Sequence, residues 1–206
     1  KGFVDGKDSG VYSSTPLARL NVSDSMSTPL AQEHFERMYE TFGSKKVNGK
    51  YQPVHFRLAT HWARLIELLH AAERMLELAT DPEITSPDVR VIPKGVKKIG
   101  IGSVEAPRGT LTHHYESDER GVLTKVNLIV GTTNNYAPMS MSIKKAAQKL
   151  ITNGEIVEES ILNKIEMAFR LYDPCLSKGF LCPTGNLLCK KDFSLGPAPQ
   201  KTMVCL

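Results

Sequence analysis

Cysteine is missing from this 206-residue chain until Cys175, and Cys182, Cys189 and Cys205 follow it. A secreted disulfide scaffold spreads its cysteines through the chain. Clustering at one end argues instead for a metal site or an atypical tail. No apolar run approaches the ~20 residues that a membrane span requires. No basic-then-apolar opening resembles a signal peptide. Charge of one sign is not in large excess: the formal net charge is +4, with the basic residues scattered. That leaves no electrostatic footprint for nucleic acid. Phosphate-loop, dinucleotide-glycine and zincin patterns are absent, and so is any internal repeat. What remains is a chain with 41% hydrophobic residues, enough to bury a core. Its length suits one large domain or one and a half small ones. It opens on Lys1 and a Gly/Asp-rich stretch, which reads as part of something longer.

Residues 1–28 read as loop, with "PLARLNV" a short apolar insert. Thr28-Pro29 is a helix start, and Ala31, Phe35, Met38 and Phe42 then share one helix face. Gly43 ends that helix, and "GSKKVNGKYQP" reads as a polar loop. Leu58, Trp62, Leu65, Leu69, Ala72 and Leu76 form the strongest periodic signal. They predict a long helix from about residue 54, stopped at Asp81-Pro82, at the centre of a bundle. From Ile99 the period changes, and "IGIGSVEAP", "GTLTHHYES" and "VLTKVNLIVG" predict an antiparallel hairpin. "TTNNYAP" reads as a polar loop. Ile143, Ala147 and Leu150 mark one further helix; Ile161, Ile165, Ala168 and Tyr172 mark another, ending at Asp173-Pro174.

Three groups can carry chemistry. Asp173-Pro174-Cys175 holds a cysteine at a rigid corner, where a thiolate can bind a soft metal. "EAPRG" sets Arg108 between a proline and a glycine, from where its planar fork can donate to an anion. "VGTTNN" offers hydroxyls and amides after a strand. Each alone has a simpler explanation: a buried cysteine after a helix stop, a surface arginine in a turn, a plain loop. His113 and His114, adjacent on a strand, point to opposite faces and do not readily share a metal.

In order along the chain these motifs are more specific. "EAPRGTLTHHY", "LIVGTTNN" and "MAFRLYDPC", with "PLARLN", "ATHWARLIELLHAAER" and "DPEITSPDVR", resemble the C-terminal half of a nickel–iron hydrogenase large subunit. The resemblance is to the cytoplasmic branch that includes the methyl-viologen-reducing hydrogenases of methanogens. It covers roughly residues 1–177 and leaves 178–206 as a tail without family likeness. It implies a mainly α fold with a small antiparallel β element (α+β), part of a large-subunit-like helical bundle. It implies reversible oxidation of dihydrogen at a nickel–iron centre whose iron carries cyanide and carbon monoxide. The partners implied are an iron–sulfur small subunit together with further electron-transfer subunits; neither nucleic acid nor a membrane span is expected.

The resemblance makes Cys175 the terminal nickel ligand. It places Asp173, Pro107 and Arg108 in the polar canopy over the metals and Thr132 beside a cyanide. Cys175 and Arg108 should then meet across the fold. The departures are as informative. The family's N-terminal cysteine pair is absent from the chain. Lys178 stands at the position of the bridging cysteine, and no Cys-x-x-His follows. We read the end as frameshifted or misassembled sequence. The competing readings are a divergent tail in which Cys182 replaces the bridging ligand, and a non-catalytic structural or assembly relative. A zinc site built from the four cysteines matches no standard spacing.

Overall fold

The computed structural model describes residues 4, 6–92, 94–152 and 158–175. The chain divides into two units, Lys1–Pro174 and Cys175–Leu206. Of the second unit only Cys175 lies among the described residues, so the readings of the tail and of Lys178 and Cys182 fall outside them.

The first unit is α+β, mainly helical with small antiparallel sheets, as the sequence implies. Helix α1 (Pro16–Val22) occupies the stretch that composition marks as loop. Its start carries a local signal: the Thr15 side chain accepts from the Ala18 N–H, and Pro16 takes the first helical position. Helix α2 (Pro29–Thr41) begins at the Thr-Pro pair as read, but Thr28 does not cap it. Its hydroxyl lies 3.1 Å from His70 Nδ1 instead. The orphan N–H groups of Leu30 and Ala31 donate to the Glu73 carboxylate, each at 3.0 Å. This helix start is therefore capped from another helix, which no local pattern reveals.

The "GSKKVNGKYQP" segment contains a hairpin, β1 (Lys46–Val47) against β2 (Lys50–Tyr51). Asn48 and Gly49 turn it with φ of 52° and 81°, as an Asn-Gly turn with two positive φ angles requires. Helix α3 (Ala59–Ala79) follows and packs on α1 and α2. Leu17, Leu20, Phe35, Met38, Tyr39 and Ile66 dominate the buried core between them. Tyr39 stacks on Tyr51 and donates to Asn21 Oδ1 at 2.9 Å. Burying a side chain of this size contributes about 1.5–3 kcal/mol each.

The face of α3 that is buried is not the leucine stripe. Ala59, Thr60, Ala63 and Ile66 face the core, while Leu58, Leu65 and Leu76 are 54%, 63% and 69% exposed. Trp62 is half-buried at the core's edge. Periodicity finds an apolar face but not its partner. Here the small residues allow close approach to α1 and α2, and nothing among the described residues covers the leucines.

Strands β3 (Ile99–Ala106), β4 (Gly109–Ser117) and β5 (Leu123–Ile129) form a three-stranded antiparallel meander rather than a single hairpin. His113 and His114 are both half-buried, so neither is the clear core residue that alternation predicts. The segment after β5 is a 3₁₀ turn (Gly131–Asn135) that runs directly into helix α4 (Tyr136–Leu150). Helix α5 (Glu159–Arg170) packs on α4, with Met139, Leu171 and Tyr172 as a second small core.

The exposed leucines make a prediction. Residues 1–206 on their own should self-associate through the apolar stripe of α3. Replacing Leu65 and Leu76 by Glu should raise the monomer fraction in sedimentation velocity. A monodisperse wild-type monomer would count against this assignment.

Candidate active site

Pro107 and Arg108 are the two residues between the paired ends of β3 and β4, Ala106 and Gly109. Gly109 has φ +138°, a conformation that L side chains rarely adopt. It also has no room: an added Cβ would lie 2.4 Å from Ser14 Oγ and 2.9 Å from the Gly131 carbonyl oxygen. The β3–β4 turn thus lies backbone-to-backbone against the start of the 3₁₀ turn. Thr132 follows Gly131 there and is buried. Asn135, at the end of the same turn, donates from Nδ2 to the Arg108 carbonyl at 2.6 Å. Its Oδ1 accepts from the Ser14 N–H at 3.0 Å.

The other side of the site is the end of α5. Asp173 takes φ 48°, in the left-handed region that aspartate tolerates better than most residues. Arg108 Nε donates to the Asp173 carbonyl at 2.7 Å and lies 3.3 Å from its Oδ2. The same carboxylate oxygen is 3.5 Å from Arg64 Nη1, and Arg64 Nη2 donates to the Leu171 carbonyl at 2.8 Å. Burial pushes the Arg64 guanidinium down from its ordinary pKa, and the Asp173 and Glu67 charges oppose that shift. Arginine stays protonated at neutral pH regardless.

Arg19 from α1 completes the cluster. Its Nε and Nη2 meet the two oxygens of Glu67 at 2.6 Å each, a bidentate pair. The same guanidinium donates to the carbonyls of Ala106 at 3.1 Å and Pro107 at 2.9 Å. Arg108 forms no hydrogen bond or ion pair through its Nη nitrogens among the described residues. Among the described residues its outer edge meets no acceptor, while its inner edge is braced. A rigid cation with unused donors beside a carboxylate can orient and stabilise developing charge on a small reactant.

Of the residues the sequence singles out, Arg108 and Asp173 are in direct contact and Pro107 shares the Arg108 turn. Thr132 lies in the 3₁₀ turn packed against that turn. Cys175 is exposed, the first residue of the second unit. Its meeting with Arg108 stays a proposal. Arg19, Arg64 and Glu67 are not predicted from sequence; Asn135 lies in "VGTTNN", whose amides the sequence marks for hydrogen bonding, and here it holds the Arg108 carbonyl. The first three lie inside the stretches "PLARLN" and "ATHWARLIELLHAAER" that carry the family resemblance, but helical spacing alone gives them no role.

Known proteins share this arrangement of sequence and fold. Residues 8–180 match the family model described as nickel-dependent hydrogenase. The chain is 52% identical over 175 residues to an F420-non-reducing hydrogenase iron-sulfur subunit of Archaeoglobus profundus, covering 85% of this chain and 34% of that one. It is 41% identical over 174 residues to NAD-reducing hydrogenase HoxS subunit beta of Cupriavidus necator, covering 84% and 34%. A crystal structure of NAD+-reducing [NiFe]-hydrogenase in the H2-reduced state superposes with a TM-score of 0.69 at 38% identity, over 82% of this chain and 36% of that one. The chain belongs to the nickel-dependent hydrogenase family. It corresponds to a C-terminal part of the large subunit. It spans 34–35% of the length of the first curated relatives it matches.

The donor set can be tested against such a centre. Among the described residues no group of three or more His, Cys, Asp or Glu is placed to hold a metal, and Cys175 is the one cysteine. The described residues therefore offer one thiol and, separately, a cluster of arginines and carboxylates, not the complete ligand set of a metal centre. No helix among them is long and apolar enough to cross a membrane.

The crowded glycine supplies the test of this site. In the complete subunit, Gly109→Ala should cost about 3 kcal/mol, from backbone strain and overpacking together. Gly121→Ala, at φ 83° with its nearest neighbour 3.4 Å away, should cost only about 1–2 kcal/mol. Denaturant unfolding measures both; equal losses would show that the contact around Gly109 is loose.

Proposed function

We propose that this chain contributes to the reversible oxidation of dihydrogen to protons and electrons, as part of a complete large subunit paired with an iron–sulfur small subunit. The observation that supports this best is the Arg108–Asp173 contact: a guanidinium braced through Nε, whose Nη donors meet no acceptor among the described residues, on the residue two before Cys175. When bound, a nickel–iron centre supplies the splitting of dihydrogen itself. The residues here surround it. Cys175 gives a soft thiolate ligand to nickel. Arg108 places a fixed positive charge and donors over the centre, and Asp173 sets the direction of its fork. Pro107 and the buried Thr132 would complete the canopy, the Thr132 hydroxyl serving a cyanide ligand of the iron. Outer groups of this kind orient and tune a metal site without ligating it.

The iron–sulfur partner follows from the need for an electron exit, with a flavin or ferredoxin system beyond it. A cytoplasmic setting follows from the branch resembled. A second reading rests on Lys178. An ammonium cannot bridge two metals, so a relative that keeps the fold without the centre would carry such a residue.

The test uses a complete large subunit carrying this segment, with a Cys-x-x-Cys end, made with maturation factors and its small subunit. Cys175→Ser is nearly isosteric but a poor ligand for nickel. Nickel content and dihydrogen-dependent dye reduction should both collapse while the fold persists. Arg108→Lys keeps the charge and loses the planar fork. It should retain nickel while turnover falls on the order of 100-fold. Nickel and activity surviving in Cys175→Ser would make the cysteine structural. The same preparation with this chain's own tail, if it carried no nickel, would favour the non-catalytic reading.

A further inference from the structure

We propose that the Arg19–Glu67 fork is the positioning device for Arg108, an inference that rests on the functional reading above. Arg108 is held through its backbone from both sides. On its N-terminal side Arg19 grips the carbonyls of Ala106 and Pro107, at 3.1 and 2.9 Å. On its C-terminal side Asn135 grips the carbonyl of Arg108 itself. Arg19 can do this only while its plane is fixed, and Glu67 fixes it through two parallel bonds. The pair is well shielded, with the side chains 15% and 23% exposed. An exposed pair such as Arg74 with Glu77, also on α3, lacks that shielding.

The geometry also explains why an arginine is needed at position 19. One planar group donates to two carboxylate oxygens and two carbonyls at once. A lysine ammonium has three donors and no plane, so it can keep the charge but not the arrangement. The consequence falls on Arg108. Its side chain leaves a two-residue turn whose peptide planes set the direction of the Cα–Cβ bond. If the 106 and 107 carbonyls are released, the guanidinium loses its fixed approach to Asp173. Arg19 forms no hydrogen bond or ion pair with Asp173 among the described residues, so its effect would travel through the turn.

The experiment compares Arg19→Lys, Glu67→Gln and the control Arg74→Lys in the complete large subunit paired with its small subunit. Hydrogen exchange of the 104–111 amides reads the turn directly, whatever the activity. In Arg19→Lys this exchange should quicken about tenfold or more, with α3 and α5 unchanged. Dihydrogen turnover should fall at least tenfold, with nickel content and the KM for dihydrogen held. Glu67→Gln should move both readouts in the same direction by less, and it carries the test if Arg19→Lys fails to assemble. Arg74→Lys should move neither. Exchange at the wild-type rate in both variants would overturn the proposal, as would faster exchange with turnover unchanged. Absence of turnover in the wild-type assembly would instead remove the hydrogenase reading, and the exchange result would still decide whether the fork holds the turn.

Discussion

The bidentate contact between Arg19 and Glu67 ties the turn between β3 and β4 to two helices that pack on each other through a shared apolar core. Arg19 comes from a two-turn helix, Glu67 from the long α3, and the carbonyls they hold from a turn between strands. The meander is also held by the backbone contact of Gly109 with Gly131, by the Asn135 bond to the Arg108 carbonyl and by the Arg108–Asp173 contact. The enclosing packing supplies the low effective dielectric in which a fork of this type is worth more than a surface ion pair. Each side requires the other: the helices shield the pair, and the pair fixes where the turn lies on the helices.

The charges around it form one system. Arg19, Arg64 and Arg108 meet the carboxylates of Glu67, Glu105 and Asp173, so the cations are balanced by carboxylates. Each guanidinium also meets a backbone carbonyl: Arg19 those of Ala106 and Pro107, Arg64 that of Leu171, Arg108 that of Asp173. These carbonyls are partial negative charges that cannot be protonated away. Fixed charges and carbonyl dipoles held in this way can stabilise charge that develops beside them.

The exposed leucines of α3 belong to the same account. A chain that spans about a third of its relatives' length cannot be expected to cover every apolar face it builds. The stripe has the periodicity of a core face, and the half of α3 that is buried uses alanines. In a complete large subunit, the leucine face is where further polypeptide would pack.

Much of this was legible in the sequence, and the limits are physical. Helix α2, helix α5 and the β region follow from local period. The motifs around Arg108, Thr132 and Asp173 point to the right neighbourhood because their residue types and order are unusual together. The Asn-Gly hairpin and the Thr-Pro start of α1 were also written locally, in turn and capping chemistry that polar composition obscures. Other features required the fold. Which face of α3 is buried depends on what stands opposite, and period cannot name a partner. Glu73 capping α2, Asn135 holding Arg108 and Arg19 gripping the β3–β4 turn are bonds between residues 27 to 88 positions apart. Hydrogen bonds at that separation leave no periodic trace, because their geometry exists only once the elements between them have packed.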